Sequence, residues 1–232
     1  MTNQPSDEKL NQFIKGYTSW LRNEGISGID QYEQKLRNNS RNRENFDDLF
    51  FEGRAALMFK HNGFRVTMRE SPDLEIELDT EKVYIEVKHF REKEQDKIDE
   101  RNMSEATDIL VPIGDLIPTE GIPADQQIAN VAIRKVDQYT ENAPNVLVVE
   151  SSSDSLALMA SSAVRIYDDQ VVKSNNQRLR RLNAIMFVNS EIVFGSPMGP
   201  SNVEIRITSH FAVPLSMRLF ATLSGIHLDK KI

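Results

Sequence analysis

The sequence predicts an α/β protein, and three observations carry that prediction. In residues 73–88, Leu74, Ile76, Leu78 and then Val83, Ile85 and Val87 alternate with acidic and basic side chains, the period of half-buried strands. Stretches with apolar residues at helical spacing precede and follow that alternation. Residues 146–149, Val-Leu-Val-Val, are continuously apolar, as expected of a strand covered on both faces.

The 232-residue length fits one domain with an appendage and allows a sizeable core. A hydrophobic content of 39% with 27% charged residues is that of a soluble globular chain. No apolar run of roughly 18 residues is present, so no membrane partner is expected. The polar N-terminus lacks an apolar secretory core, and the expected localisation is cytoplasmic. The absence of cysteine excludes disulfides, thiolate metal sites and a cysteine nucleophile. A net charge of −7 argues against promiscuous nucleic-acid binding. It is partly offset by two basic clusters, Lys35, Arg37, Arg41 and Arg43, then Arg178, Arg180 and Arg181.

Taken in order, residues 7–24 read as an amphipathic helix with Leu10, Phe13, Ile14, Tyr17, Trp20 and Leu21 on its stripe, stopped by Gly25. A short helix over 29–38 and a polar linker complete an N-terminal helical extension, residues 1–43, ahead of a main domain at 44–232. Asn45 reads as the N-cap of the next helix, which stops at His61-Asn62-Gly63. Glu52 lies on a mostly apolar face of it and needs a partner or a metal if carried inward; a surface position at the stripe's edge is the alternative.

Residues 64–68 read as a strand, followed by the hairpin, with 79–82 as its polar turn. Residues 91–124 are an insertion: a mixed-charge stretch, then a segment with three prolines and two glycines. A helix is expected over 125–142. Lys135 sits within its stripe, where a snorkelling surface lysine is the simpler explanation. Further helices are expected at 154–166 and 214–223, with strands at 184–188, 191–194 and 203–207. The arginines of 173–181 are either phosphate contacts or simply solvated. The four histidines show no paired metal spacing, and His89 points away from Lys88.

The hairpin carries the chemistry. Glu86 and Lys88 share a face, and Asp73 on the facing strand can join them. Clustered carboxylates call for a cation, and a hard, oxygen-loving ion such as Mg²⁺ suits them. Pro72-Asp73, a gap, and Glu86-Val87-Lys88 resemble the PD-(D/E)xK nuclease superfamily, whose fold is restriction-endonuclease-like. Glu52 ahead of Gly63-Phe64 is similar to that family's first helix, and the resemblance covers residues 44–150.

The resemblance implies a mixed central sheet flanked by helices and metal-dependent hydrolysis of nucleic-acid phosphodiesters, as an endodeoxyribonuclease acting on DNA. It implies Mg²⁺, with Mn²⁺ as a substitute, held by Asp73, Glu86, the Val87 carbonyl and Glu52. Lys88 would position the attacking water. Lys135 and Gln138 would be the polar contributions of the following helix. A homodimer fits an enzyme that must cut two strands. The alternatives are a catalytically silent module of the same fold that binds nucleic acid or protein, or an ordinary hairpin whose wet face happens to alternate acids with apolar residues.

Overall fold

The protein is described by a computed structural model over residues 7–90, 123–151, 160–189 and 203–226. Helices α1 (Asp7–Asn23), α2 (Ile29–Asn39) and α3 (Arg43–His61) come first. Strands β1 (Arg65–Met68), β2 (Leu74–Leu78) and β3 (Glu81–Phe90) follow. Then come α4 (Ala124–Arg134), β4 (Asn145–Ser151), α5 (Ala160–Ser174), a 3₁₀ turn (Gln177–Arg181), β5 (Leu182–Asn189), β6 (Val203–Ile207) and α6 (Met217–Ser224).

The strands form a mixed sheet in sequence order. β1, β2 and β3 are antiparallel, β3, β4 and β5 are parallel, and β6 returns antiparallel to β5. Helices cover both faces, which explains the apolar run in β4. Val146 and Val148 face a core that contains side chains of α1, α2, α3 and α6, while Leu147 and Val149 face a second core built by α4 and α5. Along β3, Val83, Ile85 and Val87 belong to the first core. By alternation, Glu86 and Lys88 therefore point to the side of α4.

The N-terminal helices do not form a separate unit, so the boundary expected at residue 43 does not divide two cores. Ile14, Tyr17 and Leu21 of α1 and Ile29, Tyr32 and Leu36 of α2 are buried in the same core as α3 and the sheet. The stripe of α1 is thus used inside its own chain. At the α1–α2 junction Ser27 pairs with the edge of β1, its N–H donating to Val66 O (3.0 Å) and its O accepting from Met68 N (2.8 Å). Gly28 follows at φ 78°, and a Cβ there would stand 2.1 Å from Met68 O. Only glycine fits both the left-handed backbone and that approach.

Several boundaries differ from expectation for local reasons. The cap of α3 is Asn42, not Asn45: its extended backbone lets Oδ1 accept the Asn45 amide at 3.1 Å. The hairpin is tighter, with a two-residue turn, Asp79-Thr80, and Asp79 at φ 55°. α4 stops at Arg134 instead of running to 142. Between α4 and β4 the chain is held by the buried side chain of Asn145: Oδ1 accepts from Thr140 N and Oγ1, and Nδ2 donates to Thr140 O, Ala143 O and Arg181 O. α5 extends to Ser174, while residues 154–159, the strand expected at 191–194 and the insertion up to 122 lie outside the described residues. α6 starts later than expected, where Ser216 Oγ accepts the Leu219 amide at 3.1 Å. No described helix is long and apolar enough to cross a membrane.

Candidate functional site

β2 begins at Leu74, which pairs with Ile85. Past that pair, β3 runs on without a partner on its β2 side. The Val87 amide points into this gap and is satisfied by a side chain: Asp73 Oδ2 accepts from it at 2.9 Å. Asp73 is thereby fixed beside Glu86, and both are buried, at 7% and 1% exposure. A residue's N–H and C=O leave a strand on the same side, so the Val87 carbonyl faces the same open edge.

Other elements close on this spot. α3 supplies Glu52, 8% exposed, and one turn earlier Asp48. α2 supplies Lys35, whose Nζ lies 3.1 and 3.3 Å from the Glu52 carboxylate oxygens and 3.8 Å from Asp73 Oδ1. Lys135, the C-cap of α4, reaches in from the other face, with Nζ 2.5 Å from Glu86 Oε2. Lys88 Nζ is 3.2 Å from Asp48 Oδ2, so its stem crosses the end of β2 towards α3. His89 packs on the Phe51 ring with Nδ1 3.8 Å from Asp48 Oδ1.

Buried carboxylates need partners, and here burial outweighs the partners supplied. Burial, reinforced by the Asp73 charge, pushes Glu52 up to about 8 despite Lys35 and Lys135. The same two causes push Glu86 up to about 7 against the pull of Lys135. Burial works against the charge on Lys135 too, yet Glu86, Asp73 and Glu52 together hold its pKa above the ordinary value. Three carboxyl groups and two ammonium groups therefore share one small, largely dry space.

The donor set has the chemistry of a hard-cation site, with carboxylate oxygens and a backbone carbonyl facing one gap. As they stand, no three acidic, His or Cys side chains among the described residues are grouped so as to hold a metal ion. The positive charge facing the carboxylates is that of Lys35 and Lys135. Comparison with family models, curated proteins and solved structures found no match to this chain, so the site is read from its own geometry.

Of the residues singled out in the sequence, Glu52, Asp73, Glu86, Val87, Lys88 and Lys135 come together. Lys135 is more than a snorkelling surface lysine, since its ammonium group ends on a buried carboxylate. Gln138 does not join them; it is exposed on the turn after α4. The three arginines also lie elsewhere. Glu86, Leu147 and Ile185 form one row across the sheet, and Arg178, Arg180 and Arg181 precede β5 beyond its opposite end. There Arg178 pairs with Asp137 (2.8 Å), Arg181 with Glu141, and Arg180 is exposed. Sequence reasoning passed over Lys35 and Asp48 as site residues. Asp48 had a usable signal, lying one helical turn before Glu52 on the same face.

Proposed function

We propose that this protein is a metal-dependent nuclease of restriction-endonuclease-like fold that hydrolyses phosphodiester bonds, acting as an endodeoxyribonuclease. The observation that carries this reading is the capture of the Val87 amide by Asp73 at the point where β2 ends. It sets Asp73 beside Glu86, brings both within reach of Glu52, and leaves Lys88 next along the same strand.

Asp73, through the oxygen not engaged by Val87, would hold Mg²⁺ or Mn²⁺ together with Glu86, the Val87 carbonyl and Glu52. Such an ion, when bound, supplies a more acidic water and screens phosphate charge. The chain's own residues do the rest. The Val87 amide keeps Asp73 from rotating away. Lys88, anchored on Asp48, would orient a water towards phosphorus and donate to a phosphate oxygen. Attack by that water forms one P–O bond as an ester P–O bond breaks; the attacking water gives up a proton to solvent and the leaving oxygen takes one from it. A duplex substrate needs two such sites, which a homodimer would provide.

A second reading, a silent binding module, is favoured by one observation. Glu86, Glu52 and Asp48 each already face a lysine ammonium group, at 2.5, 3.1 and 3.2 Å. Titration of Mg²⁺ and Mn²⁺ into the wild type, Asp73→Ala and Lys88→Ala separates the two, with heat and cleavage of a DNA and RNA panel as readouts. The nuclease reading expects Asp73→Ala to lose the binding heat. It expects Lys88→Ala to keep that heat and lose about 10²-fold or more in cleavage rate. A folded wild type that takes up neither ion would leave the silent module standing.

A further inference from the structure

We propose that Lys35 and Lys135 are exchangeable counter-ions that couple nucleic-acid binding to metal binding. In the metal-free protein they occupy the oxygens of Glu52, Asp73 and Glu86. When a divalent cation takes those oxygens, both ammonium groups turn to the phosphates of the substrate. This rests on the nuclease reading and adds to it a reason for the two lysines.

The geometry supports the exchange in three ways. Lys35 bridges Glu52 and Asp73, and Lys135 sits on Glu86, so the oxygens a cation would need are the ones the lysines hold. A dication and an ammonium group cannot share them without repulsion at close range. Each lysine also has a way out: the side chains are 33% and 23% exposed, whereas those of the acids they contact are between 1% and 11% exposed. Finally, the two stems come from opposite faces of the sheet, α2 on one side and the end of α4 on the other. Released, they flank the gap at the end of β2.

The charge balance gives the exchange a purpose. While they hold the carboxyl groups the two ammonium groups are not available to phosphate, and the chain around them carries a net charge of −7, which works against a phosphate backbone. A dication takes over the carboxyl oxygens and frees the lysines, which then become phosphate ligands. Nucleic acid is thereby admitted only to a metal-loaded protein.

The test uses the full chain and the variants Lys35→Met and Lys135→Met. Mg²⁺ affinity is measured by calorimetry. Affinity for a labelled random-sequence duplex is measured by anisotropy at saturating Mg²⁺, with Lys88→Ala added to protect the strand. Losing a competing counter-ion should tighten Mg²⁺ binding about fivefold or more. Losing a phosphate ligand should weaken duplex binding and reduce the slope of log K against log salt by about one. The opposite signs are the signature, because a lysine that only maintains structure would weaken both. Should Lys135→Met fail to fold, the more exposed Lys35 decides alone. Wild type that binds Mg²⁺ alongside variants unchanged in both readouts would overturn the exchange and spare the nuclease reading. Wild type that binds no Mg²⁺ would overturn both.

Discussion

Removing divalent ions should make the protein lose stability as pH rises from about 5 to about 8, against the usual behaviour of acidic residues. Glu52 and Glu86 keep their protons in the folded state up to about 8 and about 7, and release them near the ordinary 4.5 once unfolded. Over that window the folded state binds more protons than the unfolded state, so the free energy of unfolding falls with pH. The loss starts above 4.5 and is complete above about 8. Each retained proton contributes at most about 1.4 kcal/mol per pH unit, so together the slope reaches at most about 3 kcal/mol per unit near pH 6. Against a typical total of about 5–15 kcal/mol that is readily measured. Glu33, held down to about 2 chiefly by Arg37, and Glu75, held low by Lys82 and Arg69 despite partial burial, act in the other direction. Their contributions are lost only as pH falls below the ordinary value, so they leave the window clear. Urea melts in EDTA across pH 5–8 measure the slope; Glu52→Gln and Glu86→Gln should each flatten it, and saturating Mg²⁺ should flatten it most. A wild-type free energy that stays level or rises over this range would refute the view that burial and Asp73 outweigh the two lysines.

Two further predictions concern how the site is held. Gly53→Ala should destabilise the protein by about 1–3 kcal/mol in thermal or urea melts, despite alanine's better helix propensity, because the new Cβ would stand 2.3 Å from Tyr17 Oη and 2.6 Å from Tyr32 Oη. Asn145→Ala should cost on the order of 3 kcal/mol, since the buried amide satisfies Thr140, Ala143 and Arg181 backbone groups that would be stranded; chemical denaturation of the variant checks this.

Much of the fold was legible because the strands announce themselves by period. The hairpin alternation, the apolar run of β4 and the strand at 203–207 all appear where their patterns place them. Helix ends were less legible, because individual side-chain contacts decide them. α4 stops at Arg134, and the stretch after it is held by Asn145, which bonds the backbone of Thr140 and Ala143; nothing within the helical stretch itself reports that. The N-terminal helices were read as an extension for a similar reason. Their stripe shows that they bury a face, and not that the face is the one opened by Gly53, where the Tyr17 and Tyr32 hydroxyls donate to Phe50 O and Leu49 O.

The same limit explains Lys35. Its importance depends on α2 lying against α3, and the only trace in the sequence is a lysine beside the buried Tyr32 and Leu36. Once in place, its chemistry has a pattern. Ion pairs that tie elements together in the described residues lean on arginine: Arg22 on Glu33, Arg54 on Glu150, Arg178 on Asp137, Arg218 on Asp79. At the carboxylate cluster the cations are Lys35, Lys88 and Lys135. A guanidinium fork suits a fixed two-point contact, whereas an ammonium group on a flexible four-carbon stem is a point charge that can change partners without leaving a planar group unsatisfied. Lys82 on Glu75 shows that the division is not absolute, but that pair lies on the outer face of the hairpin. Structural demands alone would be met as well by arginine at positions 35 and 135. A site whose cations must exchange partners would not.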